Sequence, residues 1–419
     1  MTSDQSSGAR GSSAATRRQF LLGGAVVGGG GLAALGIDRL FGGGGAPGGA
    51  ATGAVPGSAG AALEEFGSDT VPFHGPHQAG VAVPTQSHAS FLALDLREDV
   101  GADDLRRLMR VLTDDAARLT QGLPPLADLE PELARTPARL TVTFAFGPRL
   151  LRRAGAEAPA WLRPLPAFGI DRLRPEFSDG DLVLMIAADD EIAVAHAVRM
   201  LVKGARSLTT VRWVQRGFNR SYGAEHPRGT GRNLFGQLDG TVNPTPGTAD
   251  FDGVVWIEDG PAAGGTSMVI RRIHMDLEGW DLLGRAAREN SVGRTLDTGA
   301  PFTGSGEFDE PDLRATDSLG FPVIPAESHM RRARSDNPDE RIFRRPYNYD
   351  EAPTGDEVSN SGQIFLSFQA DVDRQFVPIQ RRLDELDILN EWTTPIGSSV
   401  LLVPPGCTEG GYVGETLLG

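Results

Sequence analysis

Three sets of polar residues in the second half of the chain have side chains that could act together in catalysis. Asp239 lies within residues 236–244, Gly-Gln-Leu-Asp-Gly-Thr-Val-Asn-Pro, and His329 and the pair Arg344 and Arg345 follow it. A carboxylate can take up and return a proton, an arginine can stabilise an anion, and a histidine can bind a metal. The stretch alone also fits a simple turn aspartate, because Asp-Gly is a strong hairpin signal.

The distribution of histidine and cysteine narrows the kind of metal site. Of the seven histidines, only His74 and His77 have the spacing of a metal clip, so a zinc or non-heme iron site is poorly supported. A heme iron needs one protein ligand. His329 is the candidate, and an exposed histidine in a charged segment is the alternative interpretation. The single cysteine, Cys407, excludes a disulfide framework and is expected to be a buried, inert thiol.

Charge and missing motifs exclude several other classes of protein. The formal net charge is -15, and such a surface repels nucleic acid. Lys203 is the only lysine, so the chain has no phosphate-binding Gly-Lys-Ser/Thr loop. Neither the Gly-x-Ser-x-Gly motif of serine hydrolases nor the His-Glu-x-x-His motif of zinc peptidases occurs. The sequence therefore predicts no nucleic-acid partner.

The first 61 residues are expected to form a leader and a linker rich in glycine and alanine. Arg17 and Arg18, followed by Gln-Phe-Leu-Leu, form a twin-arginine signature before an apolar run that is rich in glycine. These features predict export by the twin-arginine pathway, to the cell envelope or beyond. The sequence leaves two alternatives open for the leader. It could be cleaved, near the small residues around Ala59 or earlier, or it could be retained as a membrane anchor. No other apolar run reaches the length of a membrane span.

Beyond the leader, the periodicity of apolar residues predicts two similar α+β halves, residues 62–220 and 221–419. The first half is predicted to have strands at 90–96, 139–146, 182–187 and 211–218, and helices at 102–121, 150–154 and 191–205. The second is predicted to have strands at 266–276, 342–349, 363–370 and 399–403, and helices at 279–288 and 377–386. The repeated order favours duplicated ferredoxin-like halves, each an antiparallel sheet with helices on one face. Irregular segments as long as 293–341 are usually functional or disordered.

Several segments, in order, resemble the dye-decolourising peroxidase family. The stretch Phe-Gly-Gln-Leu-Asp-Gly-Thr-Val-Asn-Pro at 235–244 is similar to the family's Gly-x-x-Asp-Gly motif. Further similar segments are 72–80 (Pro-Phe-His-Gly-Pro-His-Gln-Ala-Gly), 328–331 (Ser-His-Met-Arg), 343–349 (Phe-Arg-Arg-Pro-Tyr-Asn-Tyr) and 376–380 (Phe-Val-Pro-Ile-Gln), with Asp387 beyond them. The resemblance covers the chain after the leader and implies the same duplicated fold.

The resemblance also implies a cofactor and a set of site residues. It implies one heme b per chain, held between sheet and helices in the second half. Asp239 would be the distal catalytic carboxylate, His329 the proximal ligand of the heme iron, and Arg344 the distal arginine. The remaining expected heme-binding residues are Gly240, Thr241 and Val242, which would line the pocket, and Arg294, which would contact a propionate.

Two assignments are left open by the sequence. Arg344 and Arg345 alternate on one predicted strand, so only one of them can face the iron. An electron-rich histidine ligand needs a carboxylate that accepts its other N–H, and either Asp384 or Asp387 could do so.

The function implied is a secreted heme peroxidase that reduces hydrogen peroxide and oxidises dyes, phenolics or other bulky organic reductants. An aspartate ordinarily titrates near 3.9, so turnover is expected to be fastest at acidic pH. A deferrochelatase-like protein of the same fold, handling heme or iron, is the first alternative. A binding or structural protein without heme is the second.

Overall fold

The structure, a computed structural model, describes residues 66–225, 229–353 and 355–419. The leader and linker predicted for residues 1–61 lie outside the described residues, so the expectations about export and cleavage stay predictions. Within the described part of the chain, no helix is both long and apolar enough to cross a bilayer.

The first half contains four strands and three α-helices, at positions close to those predicted. The strands are β1 (His88–Leu96), β2 (Thr141–Phe146), β3 (Leu182–Ala188) and β4 (Thr209–Phe218), and the helices are α1 (Ala102–Thr120), α2 (Pro148–Ala154) and α3 (Glu191–Ala205). Helix α3 begins after Asp190, whose side chain accepts a hydrogen bond from the Ala193 amide at 2.9 Å, as expected for an N-cap. Helix α2 ends at Gly155, which has a φ of 72°, a conformation that favours glycine.

The second half contains five strands and six short helices among its described residues. The strands are β5 (Thr266–Met275), β6 (Phe343–Arg344), β7 (Tyr347–Glu351), β8 (Asn360–Gln369) and β9 (Thr393–Val403). The helices are α4 (Ala249–Val255), α5 (Leu277–Asp281), α6 (Arg285–Val292), α7 (His329–Ala333), α8 (Val377–Leu386) and α9 (Glu415–Leu418). One turn of π-helix, Val372–Phe376, leads into α8, and a 3₁₀ turn, Ile388–Glu391, follows it.

The nine strands of the described residues form one antiparallel order, β5-β9-β2-β3-β1-β4-β7-β8-β6, with a further pairing between β5 and β8. This order contains two groups of four, β2-β3-β1-β4 from the first half and β9-β5-β8-β7 from the second. The groups meet at single residue pairs, Phe146 with Leu402 and Phe218 with Asn348. The prediction of helices combined with antiparallel sheet is therefore confirmed.

Burial on both faces explains why the central strands are almost continuously apolar. On β1, Leu92 and Leu94 pack with the core that includes α1 and α3, whereas Phe91 and Ala93 pack with residues from the strands of the second half. Strand β3 is buried at every position. Each central strand therefore contributes to two hydrophobic cores, and its burial is a main source of stability.

Two predicted elements of the second half are wrong in their continuity. The helix expected at 279–288 is two helices, because Asp276 caps α5 and Gly284 has an extended conformation before α6. The strand expected at 342–349 is split into β6 and β7 around Pro346, which has no N–H to donate to a neighbouring strand. The break at Pro346 lies beside Arg344, a predicted site residue.

Candidate active site

A cavity of about 590 Å³ lies in the second half, between β5 and β8 on one side and α7 and α8 on the other. Its wall also includes the loop that contains Asp239 and the start of the irregular segment after α6. All seven predicted site residues line it: Asp239, Gly240, Thr241, Val242, Arg294, His329 and Arg344. Residues separated by up to 105 positions in the sequence, as Asp239 and Arg344 are, therefore share one cavity.

His329 is the first residue of α7, and a carboxylate holds its imidazole. Its Nδ1 atom lies 2.6 Å from Oδ2 of Asp387, at the end of α8. The other oxygen of Asp387 accepts a hydrogen bond from the Leu389 amide at 3.0 Å, which fixes the carboxylate. Asp384 instead accepts hydrogen bonds from the amides of Gly169 and Ile170. Of the two carboxylates left open by the sequence, Asp387 is the one that contacts His329.

The remaining ring nitrogen of His329, Nε2, is available to a ligand. No hydrogen bond joins it to any other described residue, and the side chain lines the cavity with 31 % of its surface exposed. Burial lowers the pKa of the imidazole, but the attraction of Asp387 is opposite in sign, and the net pKa is raised from its ordinary value. If Nδ1 carries the hydrogen that Asp387 accepts, Nε2 has the free lone pair that metal binding requires.

Asp239 lies on the opposite side of the cavity, on a turn that requires glycine. Gly236 and Gly240, on either side of it, have φ values of 81° and 124°, which are costly for residues with a Cβ atom. Two donors hold the carboxylate: Nη1 of Arg344 lies 2.9 Å from Oδ1, and Nε2 of Gln363 lies 2.7 Å from Oδ2. Both oxygens of Asp239 are therefore oriented by neighbouring side chains.

The two adjacent arginines face opposite sides of their segment. Arg344 faces the cavity and contacts Asp239, as the resemblance implied. Arg345 is buried and donates to the carbonyl oxygens of Val81 and Val83 and to the side chain of Gln86. Arg345 therefore ties β6 to the first half, and Arg344 alone of the pair reaches Asp239.

Asn243 connects the loop of Asp239 to the strand of Arg344. Its Nδ2 donates to the Arg344 carbonyl at 2.7 Å, and its Oδ1 accepts from the Arg344 amide at 3.0 Å. The Asn243 side chain thus bonds to the main chain of Arg344 as a neighbouring strand would. It also sets the distance between Asp239 and Arg344.

Replacing Asn243 with alanine should lower the free energy of unfolding by about 2 kcal/mol, because two hydrogen bonds at roughly 1 kcal/mol each are lost. Urea denaturation would measure it. Asn360→Ala is the control, because its side chain makes one long contact, 3.5 Å, with the Ala352 carbonyl. Equal midpoints for Asn243→Ala and the parent would contradict this role.

Arginines also line the cavity away from Asp239. Arg294 donates to the carbonyl oxygens of Gly299 and Glu307, and burial together with repulsion from Arg334 lowers its pKa from the ordinary value. Arg334, just after α7, pairs with Glu310, and its buried Nε has no hydrogen-bond partner among the described residues. A cavity wall with clustered arginines and an unsatisfied N–H is suited to an anionic ligand.

A second cavity, of about 400 Å³, meets the first at Asp239, Arg344 and Gln363. Its other lining residues come mainly from the described part of the loop between β4 and Asp239, with Tyr347 and Asn348 at the start of β7. The carboxylate is therefore accessible from a space on each side.

Sequence reasoning missed Gln363 and Arg334 as site residues. A polar residue directly before the apolar residues of β8 was a signal for Gln363, because alternation places it on the same face as Phe365, which also lines the cavity. Arg334 belongs to a run of basic residues, and nothing in that run distinguishes it from its neighbours. The two missed residues lie on opposite sides of the cavity.

Comparison with known proteins gives a match to two family models. Residues 78–219 match the family model "Dyp-type peroxidase, N-terminal", and residues 230–408 match "Dyp-type peroxidase, C-terminal". A crystal structure of a DyP-type peroxidase from Cellulomonas bogoriensis is similar with a TM-score of 0.82 and 54 % identity, covering 85 % of this chain and 99 % of that one.

Two curated relatives are similar over most of their length. A dye-decolorizing peroxidase of Thermobifida fusca is 38 % identical over 81 % of this chain and 83 % of its own. A deferrochelatase of Escherichia coli is 34 % identical over 83 % of this chain and 87 % of its own.

Proposed function

Because this chain belongs to the DyP-type peroxidase family, and is thus a heme-dependent peroxidase, we propose that His329, Asp239 and Arg344 are its working residues. The observation that carries the proposal is that one cavity has His329 with Asp387 on one side and Asp239 with Arg344 on the other. The substrates are hydrogen peroxide and an organic reductant, for which we propose dyes and phenolics.

The side chains around the large cavity fit a heme b. His329 would bind the iron through Nε2, which has no partner within the described chain. The buried Nε of Arg334 and the guanidinium of Arg294 suit the two propionates. Gly240, Thr241 and Val242, which line the cavity, would contact the porphyrin. When bound, the heme supplies a ferric iron at which the peroxide oxygen–oxygen bond is cleaved.

Asp239 moves the proton that this cleavage requires. The carboxylate takes the proton from the near oxygen of hydrogen peroxide and returns it to the far oxygen, which leaves as water. Gln363 and Arg344 hold the carboxylate in place during both transfers. An aspartate stays ionised, and can therefore accept a proton, at lower pH than a histidine does. We therefore expect dye oxidation to be fastest at acidic pH.

Arg344 stabilises negative charge as it develops on the peroxide oxygens. Its guanidinium stays protonated throughout, so it provides charge without competing for the proton. Asp387 acts on the other side of the cavity, where its contact with Nδ1 orients His329 and increases the electron density at Nε2.

Arg344→Leu should slow the reaction with hydrogen peroxide by about 10²- to 10³-fold, the usual effect of losing one such charged donor. Stopped-flow mixing of the heme-loaded protein with peroxide measures the rate. Arg345→Leu is the contrasting variant. The partners of Arg345 include two backbone carbonyls and the Gln86 side chain of the first half, so its loss should reduce stability and leave the peroxide rate of the folded fraction near that of the parent. A slow peroxide reaction in Arg345→Leu together with a parent-like rate in Arg344→Leu would show that Arg345 has the role proposed for Arg344.

The duplicated ferredoxin-like architecture is also part of the proposal. The strands of each half have the same relative order. It is β4-β1-β3-β2 in the first half and β9-β5-β8-β7 in the second. Helices α1 and α3 pack on the first group, and α8 lies after β8 in the position that α3 has after β3. This equivalence supports a duplicated unit, with heme between sheet and helices of the second half.

A deferrochelatase activity is the second candidate, favoured by the Escherichia coli relative of that name. The peroxidase is better supported, because the relatives with higher identity are peroxidases and because Asp239 and Arg344 form a pair suited to peroxide. Incubating the heme-loaded protein with a ferrous-iron chelator distinguishes the two activities. Stoichiometric iron release with intact porphyrin, and no peroxide turnover, would favour the deferrochelatase.

We also propose export by the twin-arginine pathway, on the evidence of Arg17 and Arg18 in the sequence. Changing both to lysine should keep the protein in the cytoplasm, because the pathway's receptor recognises the arginine pair. Cell fractionation with immunoblotting measures the distribution, and an Arg10→Lys variant is the matched control. Normal export of the double variant would show that another signal directs the protein.

A further inference from the structure

Gln363 occupies an unusual position between the two cavities. It lies on β8, opposite Asn348 of β7 on one side and Ile273 of β5 on the other. The residues that follow it, Ile364, Phe365 and Leu366, are apolar. Its side chain lines both cavities, where they meet. A long polar side chain in this place needs a partner, because burying an amide without one is costly.

The partner of Gln363 is the carboxylate that performs the proposed proton transfer. Nε2 of Gln363 lies 2.7 Å from Oδ2 of Asp239, and Arg344 occupies Oδ1. A carboxylate held at one oxygen can rotate about its last torsion, whose minimum is broad. A second donor, from a strand with partners on both sides, restricts that rotation.

We propose that Gln363 is a positioning residue, which holds the Asp239 carboxylate in one plane between the two cavities, so that its oxygens stay oriented for proton transfer. The proposal rests on the role of Asp239 given above. Gln363 is uncharged, so it orients the carboxylate without adding a competing acid or base. The charged side chains that line the two cavities, among them Arg232, His329 and Arg344, are the same in parent and variants.

The test uses variants that keep the size of the side chain and remove its N–H. Gln363→Met, with Gln363→Leu as the second variant, should react with hydrogen peroxide about tenfold more slowly at acidic pH. This loss of rate is expected because the carboxylate then keeps only the hydrogen bond from Arg344, which leaves it free to rotate. The control is Gln121→Met, which makes the same change at an exposed position at the end of α1. It should leave the rate of reaction with hydrogen peroxide unchanged.

A double variant shows whether Gln363 acts through Asp239. In an Asp239→Asn background, Gln363→Met should have no further effect on the peroxide rate, because the group it positions can no longer accept a proton. Equal, additive effects of Gln363→Met in both backgrounds would overturn the proposal.

Cyanide binding gives a readout that does not depend on turnover. Hydrocyanic acid must give up its proton to bind ferric heme as an anion, so its affinity reports the proton acceptor in the cavity. We expect Gln363→Met to weaken cyanide binding about tenfold at acidic pH, with unchanged heme content and thermal stability. Parent-like cyanide affinity and peroxide rates in both Gln363 variants, with Asp239→Asn slow, would overturn this proposal alone. A parent-like rate in Asp239→Asn would overturn the role of Asp239 and this proposal together.

Discussion

Replacing Asp239 with asparagine should slow the reaction of the heme-loaded protein with hydrogen peroxide by about 10²- to 10⁴-fold, the usual effect of losing a general acid–base group. Asparagine preserves the shape of the side chain and can still interact with Gln363, but it cannot take up the proton. The change should therefore affect the rate far more than the fold. Stopped-flow absorbance measured from acidic to slightly alkaline pH would give the rate.

The control for this variant is Asp373→Asn, which removes a carboxylate that pairs with Arg163 on the surface. It should react at the parent rate, because an exposed ion pair contributes little. If Asp239→Asn formed the same spectral change at the parent rate at every pH, Asp239 would not be the proton acceptor. The pH dependence of the parent enzyme would then require another group.

Replacing His329 with alanine should abolish or greatly weaken heme binding. The imidazole is the one group in the cavity with a free ring nitrogen among the described residues, and Asp387 holds it toward that space. Its loss removes the only proposed protein ligand of the iron, leaving contacts with the porphyrin and the propionates. Hemin titration followed by the Soret absorbance would measure both affinity and stoichiometry.

His274→Ala is the matched control for the histidine variant. His274 lies on β5 between Ile273 and Met275, both of which line the cavity, so alternation directs it to the other face of the strand. This variant should bind one heme per chain with the parent spectrum. Unchanged heme content and ligand-field bands in His329→Ala would show that another residue binds the iron.

Periodicity was sufficient to predict most of the elements that form the scaffold. Helices at 191–205 and 377–386 agree with α3 and α8 at both ends. Strand β3 was predicted from its continuous apolar run, whereas β1 and β2 were predicted from alternation. The split at Pro346 and the division around Gly284 were missed, because apolar periodicity alone does not show where a proline or a glycine interrupts a strand or a helix. Helix α4 was missed because its seven residues, between loops, carry too little periodic signal.

The sequence predicted which residues line the site but not which hydrogen bonds join them. The motif around Asp239 and the ordered segments after it were enough to name residues that share one cavity. The sequence did not decide whether Arg344 or Arg345 contacts Asp239, because that contact depends on the twist of a strand. Nor did it decide whether Asp384 or Asp387 contacts His329, because that contact depends on where a helix ends. Gln363 was missed for a related reason: its partner, Asp239, is 124 positions away in the sequence, so neither residue indicates the other.

The visible spectrum of the purified protein, reconstituted with hemin and then mixed with one equivalent of hydrogen peroxide, tests the central claim most directly. A protein in which His329 binds heme opposite Asp239 should show a Soret band that saturates at one heme per chain. That band should change on mixing with peroxide and return to its starting form after a phenolic reductant is added. A protein that binds no stoichiometric heme, or whose Soret band is unaffected by peroxide, would contradict the account.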